Sequence, residues 1–245
     1  MHCGRFYHTA TKLKNGKVLV AGGRTGISYS SSCELYDPST GNWTTTGDMH
    51  DPRSDHTATL LPNGKVLVTG GFDVGYEIHG AELYDPVTGN WTKTADMHYA
   101  RVWHTAALLN NGMVLVAGGI SDQGYTKTAE LYDPSKGTWK MTGNMSIPRS
   151  NYRMSKLQSG KVIVTGGYYF GDDENLNEYY CVDSAEIYDP KTELWRTTSR
   201  MSYKRSKHTS SVLQNGMVLV TGGSETFVEN DVGSATELYV PSTED

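Results

Sequence analysis

Thr57-Ala58-Thr59-Leu60-Leu61-Pro62-Asn63-Gly64-Lys65-Val66-Leu67-Val68-Thr69-Gly70-Gly71 is the stretch whose reading decides the fold. Two short β-rich runs, Thr57–Leu61 and Lys65–Thr69, flank Asn63-Gly64, a dipeptide that favours a type I′ hairpin because that turn needs positive φ at both central positions. The second run is apolar without alternation, as are Val18-Leu19-Val20, Val114-Leu115-Val116 and Val218-Leu219-Val220, which is the pattern of a strand covered on both faces. The glycine pair that closes the stretch recurs as Gly22-Gly23, Gly70-Gly71, Gly118-Gly119, Gly166-Gly167 and Gly222-Gly223, at spacings of 48, 48, 48 and 56 residues. Arg5, Arg53, Arg101, Arg149 and Arg205 keep the same phase, as do Tyr36, Tyr84, Tyr132, Tyr188 and Tyr239, and Trp43, Trp91, Trp139 and Trp195. A period of this length built from short strands and turns means a radial array of small sheets, none of which buries its faces alone.

Downstream of Gly71 a loop of variable length leads to Ala81-Glu82-Leu83-Tyr84, then to the turn Asp85-Pro86-Val87-Thr88-Gly89 and to Trp91-Thr92-Lys93-Thr94. Proline pre-sets φ early in that turn, and the closing glycine accepts a left-handed conformation. Each repeat therefore reads as a four-stranded meander a-b-c-d, with one Tyr and one Trp filling the wedge between sheets while Gly-Gly leaves them room. The 245 residues read as a single domain with repeats at about 1–49, 50–97, 98–145, 146–201 and 202–245. Tyr239-Val240-Pro241 completes a strand c, and Ser242-Thr243-Glu244-Asp245 has neither the Trp nor the length of a strand d. The expected architecture is all-β with five blades of antiparallel four-stranded meanders. The last blade lacks its outer strand, leaving a weak seam against the first, as in a fragment of a longer propeller or a chain that borrows a strand.

The balance of 22 Lys+Arg against 27 Asp+Glu, a net charge of −5, provides no basic footprint for nucleic acid or an anionic membrane, and neither is expected as a partner. There is no apolar run near 18 residues and no signal-peptide core after Met1, while the compartment stays open. Cys3, Cys33 and Cys181 are too few, and odd in number, for a disulfide framework; Cys33 takes a slot filled elsewhere by Ala81, Ala129 and Ala185 and reads as a small buried residue.

Gly-Gly followed by a spaced Tyr and Trp, on a frame of Arg-x-x-His and Asn-Gly-Lys-Val-Leu-Val, resembles the kelch repeat. The variant is similar to the kelch-type β-propeller of the galactose oxidase and glyoxal oxidase group, and the match covers nearly the whole chain. The resemblance implies the propeller fold, and in its enzymatic branch a copper held by Tyr and His ligands with a Cys cross-linked to a Tyr. The histidines argue for a different use. His8, His56, His104 and His208 share one repeat phase and His2, His50 and His98 another, so they read as parts of the repeat, with only His79 outside it. A ring of the four around a central channel, with Tyr152 in the remaining place, is the sharper alternative. No Gly-x-Ser-x-Gly and no phosphate loop is present, so no catalytic residue, metal ligand or cofactor is assigned.

Departures from the repeat are where individual function is written. The loop Tyr168–Ser184 carries the one dense acidic and aromatic cluster, with Tyr168, Tyr169, Phe170, Asp172, Asp173, Glu174, Glu178, Tyr179 and Tyr180, and the fifth repeat adds Glu225, Glu229 and Asp231. In a meander the b–c loops and d–a linkers share one face, so these residues are the candidate surface for a protein or peptide partner. A non-catalytic binding module is the leading reading. The alternatives are a propeller fragment of a secreted copper-radical oxidase and a purely structural repeat array. Within each blade the five phased arginines match Glu34, Glu82, Glu130, Glu186 and Glu237 one for one, and are expected to pair with them.

Overall fold

In the first repeat the chain reverses through Lys14-Asn15-Gly16, closed by hydrogen bonds from Leu13 N–H to the Lys17 carbonyl at 2.8 Å and from Gly16 N–H to the Leu13 carbonyl at 3.0 Å. Gly16 is left-handed at φ 85° whereas Asn15 is not, so the turn is the three-residue kind with a glycine bulge in place of type I′. The asparagine instead accepts the N–H two residues on, from Lys17 at 3.1 Å, and Asn63, Asn111 and Asn215 do the same. The chain in this computed structural model is described for residues 1–173, 176–225 and 235–241, with side chains left out at 172–177.

Blade 1 begins with β1 (Thr9–Lys12) and β2 (Val18–Ala21), continues through a short ribbon of β3 (Arg24–Thr25) and β4 (Ser28–Tyr29), and ends with β5 (Cys33–Asp37) and β6 (Asn42–Thr45). Blade 2 repeats this with β7 (Thr57–Leu60), β8 (Val66–Thr69), the ribbon β9 (Phe72–Asp73) and β10 (Tyr76–Glu77), then β11 (Ala81–Asp85) and β12 (Asn90–Lys93). Blade 3 has β13 (Thr105–Leu108), β14 (Val114–Ala117), the ribbon β15 (Ile120–Ser121) and β16 (Gly124–Tyr125), then β17 (Ala129–Asp133) and β18 (Thr138–Met141). Blade 4 has β19 (Arg153–Lys156), β20 (Val162–Thr165), the longer ribbon β21 (Tyr168–Asp173) and β22 (Leu176–Cys181), then β23 (Ala185–Asp189) and β24 (Leu194–Thr197). Blade 5 comprises β25 (Thr209–Val212), β26 (Val218–Thr221) and β27 (Thr236–Tyr239). Every blade pairs antiparallel in the order a-b-c-d, and the fifth stops at c among the described residues.

Successive blades pack through their apolar faces. Between blades 1 and 2, Leu19, Ala21, Cys33 and Met49 meet Val66, Val68, Tyr84 and Trp91, and the next two junctions repeat the arrangement. Tyr84 and Trp91 are cross-strand partners with ring centroids 5.1 Å apart, so each wedge is filled by an aromatic pair worth roughly 0.5–1.5 kcal/mol beyond its buried area. The glycine pair makes room for something other than these rings. A Cβ on Gly22 would lie 2.6 Å from the Arg53 carbonyl oxygen and 2.9 Å from the His56 ring, and one on Gly23 would lie 2.7 Å from the Phe6 carbonyl oxygen. The backbones of two blades approach here, and the N–H of the second glycine donates across the junction: Gly23 to Arg53, Gly71 to Arg101, Gly119 to Arg149 and Gly167 to Arg205, each at 2.8 Å.

The same arginines hold their own blades together. Arg53 Nη1 donates to the Gly70 and Gly80 carbonyls at 2.9 Å, and Nη2 meets Glu82 Oε1 at 3.0 Å; both side chains are fully buried. Arg5–Glu34, Arg101–Glu130, Arg149–Glu186 and Arg205–Glu237 close in the same way at 3.1, 3.0, 2.7 and 2.6 Å. The other carboxylate oxygen accepts a linker N–H, from His50 in blade 2 and from His2, His98, Ser146 and Ser202 in the others. At Glu34 and Glu237 burial alone would raise the carboxyl pKa, but these donors outweigh it and leave it below its ordinary value.

The two ends of the array differ from its middle. Innermost strands pack closely in the series β1, β7, β13, β19, β25, and β25 with β1 is not among the closely packed pairs. Tyr36 and Trp43 on the leading face of blade 1 are only half-buried where Tyr84, Tyr132 and Tyr188 are fully buried, and Leu238 on the trailing side of blade 5 is exposed.

Glu130→Ala should destabilise the chain by about 3–5 kcal/mol in denaturant unfolding, because it strands a buried guanidinium, while an exposed control such as Lys12→Ala should change little. Equal effects would show that the pair is not holding the blade. Amide exchange of the whole chain should find blade 5 unprotected well before blades 2 and 3, and uniform protection in a monomer would remove the seam.

Candidate binding site

In blades 1 to 4 the segments between strands b and c are built as ribbons, and in all five blades the segment is joined to the start of its own blade by an isolated bridge: Phe6 to Arg24, Ser54 to Phe72, Val102 to Ile120, Ser150 to Tyr168 and Ser206 to Ser224. These bridges set the b–c segments beside the d–a linkers on one face. The fourth-repeat segment Tyr168–Ser184 is accordingly not an open loop. Tyr168 pairs with Cys181, Phe170 with Tyr179 and Asp173 with Leu176, giving a ribbon of six residues against six.

Period two sorts its aromatics. Tyr168, Phe170 and Tyr179 turn to one side, where they wall a cleft of about 530 Å³ together with Trp103, Ile120 and Tyr125 from blade 3 and Pro148 from the linker. Tyr169 and Tyr180 stack on each other on the opposite side at 5.5 Å. Within the cleft Tyr168 stands 5.9 Å from both Tyr125 and Tyr179, and Phe170 and Tyr179 meet edge to face at 5.1 Å. Burial lifts the Tyr125 and Tyr168 phenols above their ordinary pKa, so both are neutral hydrogen-bonding groups at neutral pH. Asn151 Nδ2 donates to the Tyr168 hydroxyl at 3.1 Å.

Of the acidic candidates, Glu178 and Glu225 are exposed, and Asp172 and Asp173 are placed by backbone pairing alone. Glu174, Glu229 and Asp231 lie outside the described residues. The described part of the cleft wall is mostly aromatic, completed by Ile120, Gln123, Gly124 and Pro148, with no carboxylate on it.

Sequence reasoning missed a second element of this face. Tyr7, Asp55, Trp103, Asn151 and Lys207, each two residues after a phased arginine, all hold left-handed backbone at φ between 50° and 57°. None is a glycine, and such a conformation costs each of them on the order of 1 kcal/mol. Asp55 N–H donates to the Tyr7 carbonyl at 3.0 Å, Asn151 to Trp103 at 3.3 Å and Lys207 to Asn151 at 2.9 Å, so the residues follow one another from blade to blade. Trp103 is 40% exposed, and its indole donates to Asp55 Oδ1 at 3.0 Å, which holds the ring over the cleft. A signal was present: Trp103 is the one tryptophan outside the Trp43, Trp91, Trp139 and Trp195 phase.

The phased histidines sit between blades. His56 Nε2 bonds Thr9 Oγ1 at 2.9 Å, His104 bonds Thr57 at 3.0 Å and His208 bonds Thr165 at 2.9 Å, each pair joining one blade to the next. Tyr152 takes this place in blade 4 and donates to the Ala117 carbonyl at 2.5 Å. His8, in the same phase in blade 1, is half-buried. Cys33 is buried, with its thiol pushed up to about 12 by desolvation, and Cys181 is buried beside Ser206. His79 is exposed and meets Asp96 at 3.3 Å.

A family model described as "Kelch motif" matches residues 7–50, 52–98, 104–146 and 158–202. No curated protein matches the sequence. Among 493 solved chains that match the structure, one titled "Structure of YjhT" superposes with a TM-score of 0.75 at 16% identity, over 96% of this chain and 81% of that one, which is a likeness of fold.

Burial presses the imidazole pKa of His104 and His208 from 6.5 down to about 3, and that of His56 well below 6.5. Between about 6.5 and 3 the unfolded chain takes up protons that the folded chain refuses, so stability is fully present above that window and falls as the pH drops through it. The urea midpoint should therefore be lower at pH 4.5 than at pH 7.5. His104→Tyr, copying Tyr152, should flatten the dependence; a midpoint indifferent to pH would refute the neutral buried histidines.

Proposed function

This chain belongs to the kelch-repeat family, and from that premise we propose that it is a non-catalytic binding module that takes a protein or peptide segment on the face formed by the b–c ribbons and d–a linkers. The observation that carries this reading is the open aromatic cleft walled by Trp103, Tyr125, Tyr168, Phe170 and Tyr179. Large rings on rigid supports bury area at low cost in side-chain entropy, and the tyrosine hydroxyls and Asn151 supply polar handles for a peptide backbone. An extended apolar or proline-containing segment fits such a surface better than a charged one, because the wall offers ring faces and no paired charge. The left-handed ring Tyr7, Asp55, Trp103, Asn151 and Lys207 supports the same face, since strain maintained at five equivalent positions presents five chemically different side chains at one level.

The test is selection of a displayed random-peptide library against the whole chain, followed by anisotropy measurements with the enriched peptides. Enriched sequences should be apolar or proline-containing, and the triple variant Trp103→Ala, Phe170→Ala, Tyr179→Ala should weaken them by at least about tenfold while leaving the thermal midpoint nearly unchanged. Undiminished binding to the triple variant would place the site elsewhere, and a library that yields no binder would remove the reading.

A further inference from the structure

The wall of the aromatic cleft recurs two repeats earlier in the chain. Moved back by 96 residues, Trp103, Ile120, Tyr125, Pro148, Tyr168 and Phe170 fall on Tyr7, Arg24, Tyr29, Pro52, Phe72 and Val74, at the junction of blades 1 and 2. The pairing is the same: Phe6 bridges Arg24 and Arg24 pairs with Tyr29, as Val102 bridges Ile120 and Ile120 pairs with Tyr125. The ring contact across the junction is kept as well, with Tyr29 5.8 Å from Phe72 where Tyr125 is 5.9 Å from Tyr168. Moved back by one repeat of 48, the same places read Asp55, Phe72, Glu77, Ala100, Ile120 and Asp122, with one ring among them.

One replacement changes what this second wall can hold. Arg24 takes the place of Ile120, and its guanidinium lies 4.9 Å over the Tyr29 ring and 5.7 Å over the Phe6 ring. Its Nε is buried without a hydrogen-bond partner, and among the described residues the guanidinium makes neither a hydrogen bond nor an ion pair. Asp55, which follows Tyr7 in the left-handed ring, is committed to the Ser54 hydroxyl and the Trp103 indole. The tips of the ribbons β3–β4 and β9–β10 are apolar and open, with Ile27, Val74 and Tyr76 91, 73 and 77% exposed. Val74 holds left-handed backbone at φ 31° in the two-residue turn Val74-Gly75, where asparagine or glycine would sit at far lower cost. Packing does not require that valine, since most of it faces solvent. An apolar side chain displayed at a cost in backbone strain, beside a cation held between rings, answers to a ligand rather than to the fold.

We propose that the junction of blades 1 and 2 is a second binding site, which takes an extended segment of a partner protein carrying an Asp or Glu next to an apolar residue. The carboxylate meets the Nη atoms of Arg24, and its apolar neighbour packs on Tyr29, Phe72 and Val74. Charge decides the occupant. Arg24 is the one charged residue among the six and has no anion of its own, so a carboxylate-bearing segment is favoured over the uncharged one suited to the cleft of blades 3 and 4. Stacking between rings fixes the guanidinium before the ligand arrives, which lowers the entropy cost of the ion pair. The two sites share a scaffold and not a ligand, so either can exist without the other.

Peptides selected on the whole chain from a displayed random library with Glu fixed at its centre, and their Gln counterparts, test this by anisotropy. Expected are saturable binding of the Glu peptide, a loss of at least about tenfold when its Glu is changed to Gln or when the chain carries Arg24→Gln, and no further loss when both changes are made. The triple variant Trp103→Ala, Phe170→Ala, Tyr179→Ala should bind the Glu peptide as the unaltered chain does. Amide exchange on binding should slow in β3, β4, β9 and β10 but not in β21. A library that yields no binder, binding that Arg24→Gln leaves intact, or loss of binding in a folded triple variant would overturn the proposal. Equal competition by free glutamate would also overturn it, by reducing the site to one for a small anion.

Discussion

One arginine per repeat makes the contacts on which the rest of the array depends. Its carbonyl accepts the N–H of the second glycine in the preceding blade, and its guanidinium spans two carbonyls and a glutamate of its own blade. The residue thereby joins neighbours through the main chain and closes strand b to strand c through the side chain. A buried guanidinium is tolerable only with its charge matched; the linker N–H on the second carboxylate oxygen holds the glutamate for that match, while the Nε groups of Arg5, Arg101, Arg149 and Arg205 are buried without a hydrogen-bond partner among the described residues. The glycine pair follows from this arrangement: the close approach of the Arg53 carbonyl to Gly22 leaves no space for a Cβ.

This frame also explains where diversity is permitted. Linker, strand start and b–c ribbon are fixed by the arginine and by the isolated bridges, so the residue two places after the arginine is held left-handed whatever its side chain. The same fixing lets the ribbon of blade 4 project six paired residues without losing its register, and the aromatic cleft forms where that ribbon meets Trp103 and Tyr125. Rigid support and variable side chains at one level are the physical conditions for selective binding by a repeat array.

The first blade departs from the middle of the array. Tyr36, Trp43 and His8 keep their phase but are less buried than their equivalents Tyr84, Trp91 and His56.

The blades themselves were legible in the residues because period, turn chemistry and apolar runs are local properties: strands a to d of the second repeat fall within a residue or two of where Thr57–Leu61, Lys65–Thr69, Ala81–Tyr84 and Trp91–Thr94 put them. The Arg–Glu matching was legible too, since equal phase in a repeat means equal depth in a blade. The aromatic cluster in the fourth repeat could be picked out as unusual, but which of its rings share a side depended on a ribbon pairing that the segment's acidic composition concealed. Asn63-Gly64 suggested a type I′ turn, and the three-residue reversal differs because strand registry, a property of the paired chains, decides how many residues remain for the turn. The glycine pair was legible as a place of close approach, while its partner was not: Arg53 and His56 arrive from the next blade. Trp103, Tyr125 and Tyr168 come together from three separate stretches of sequence. Local sequence determined each blade; inter-blade packing alone decided the cleft, because it is a space between units whose separation no single repeat encodes.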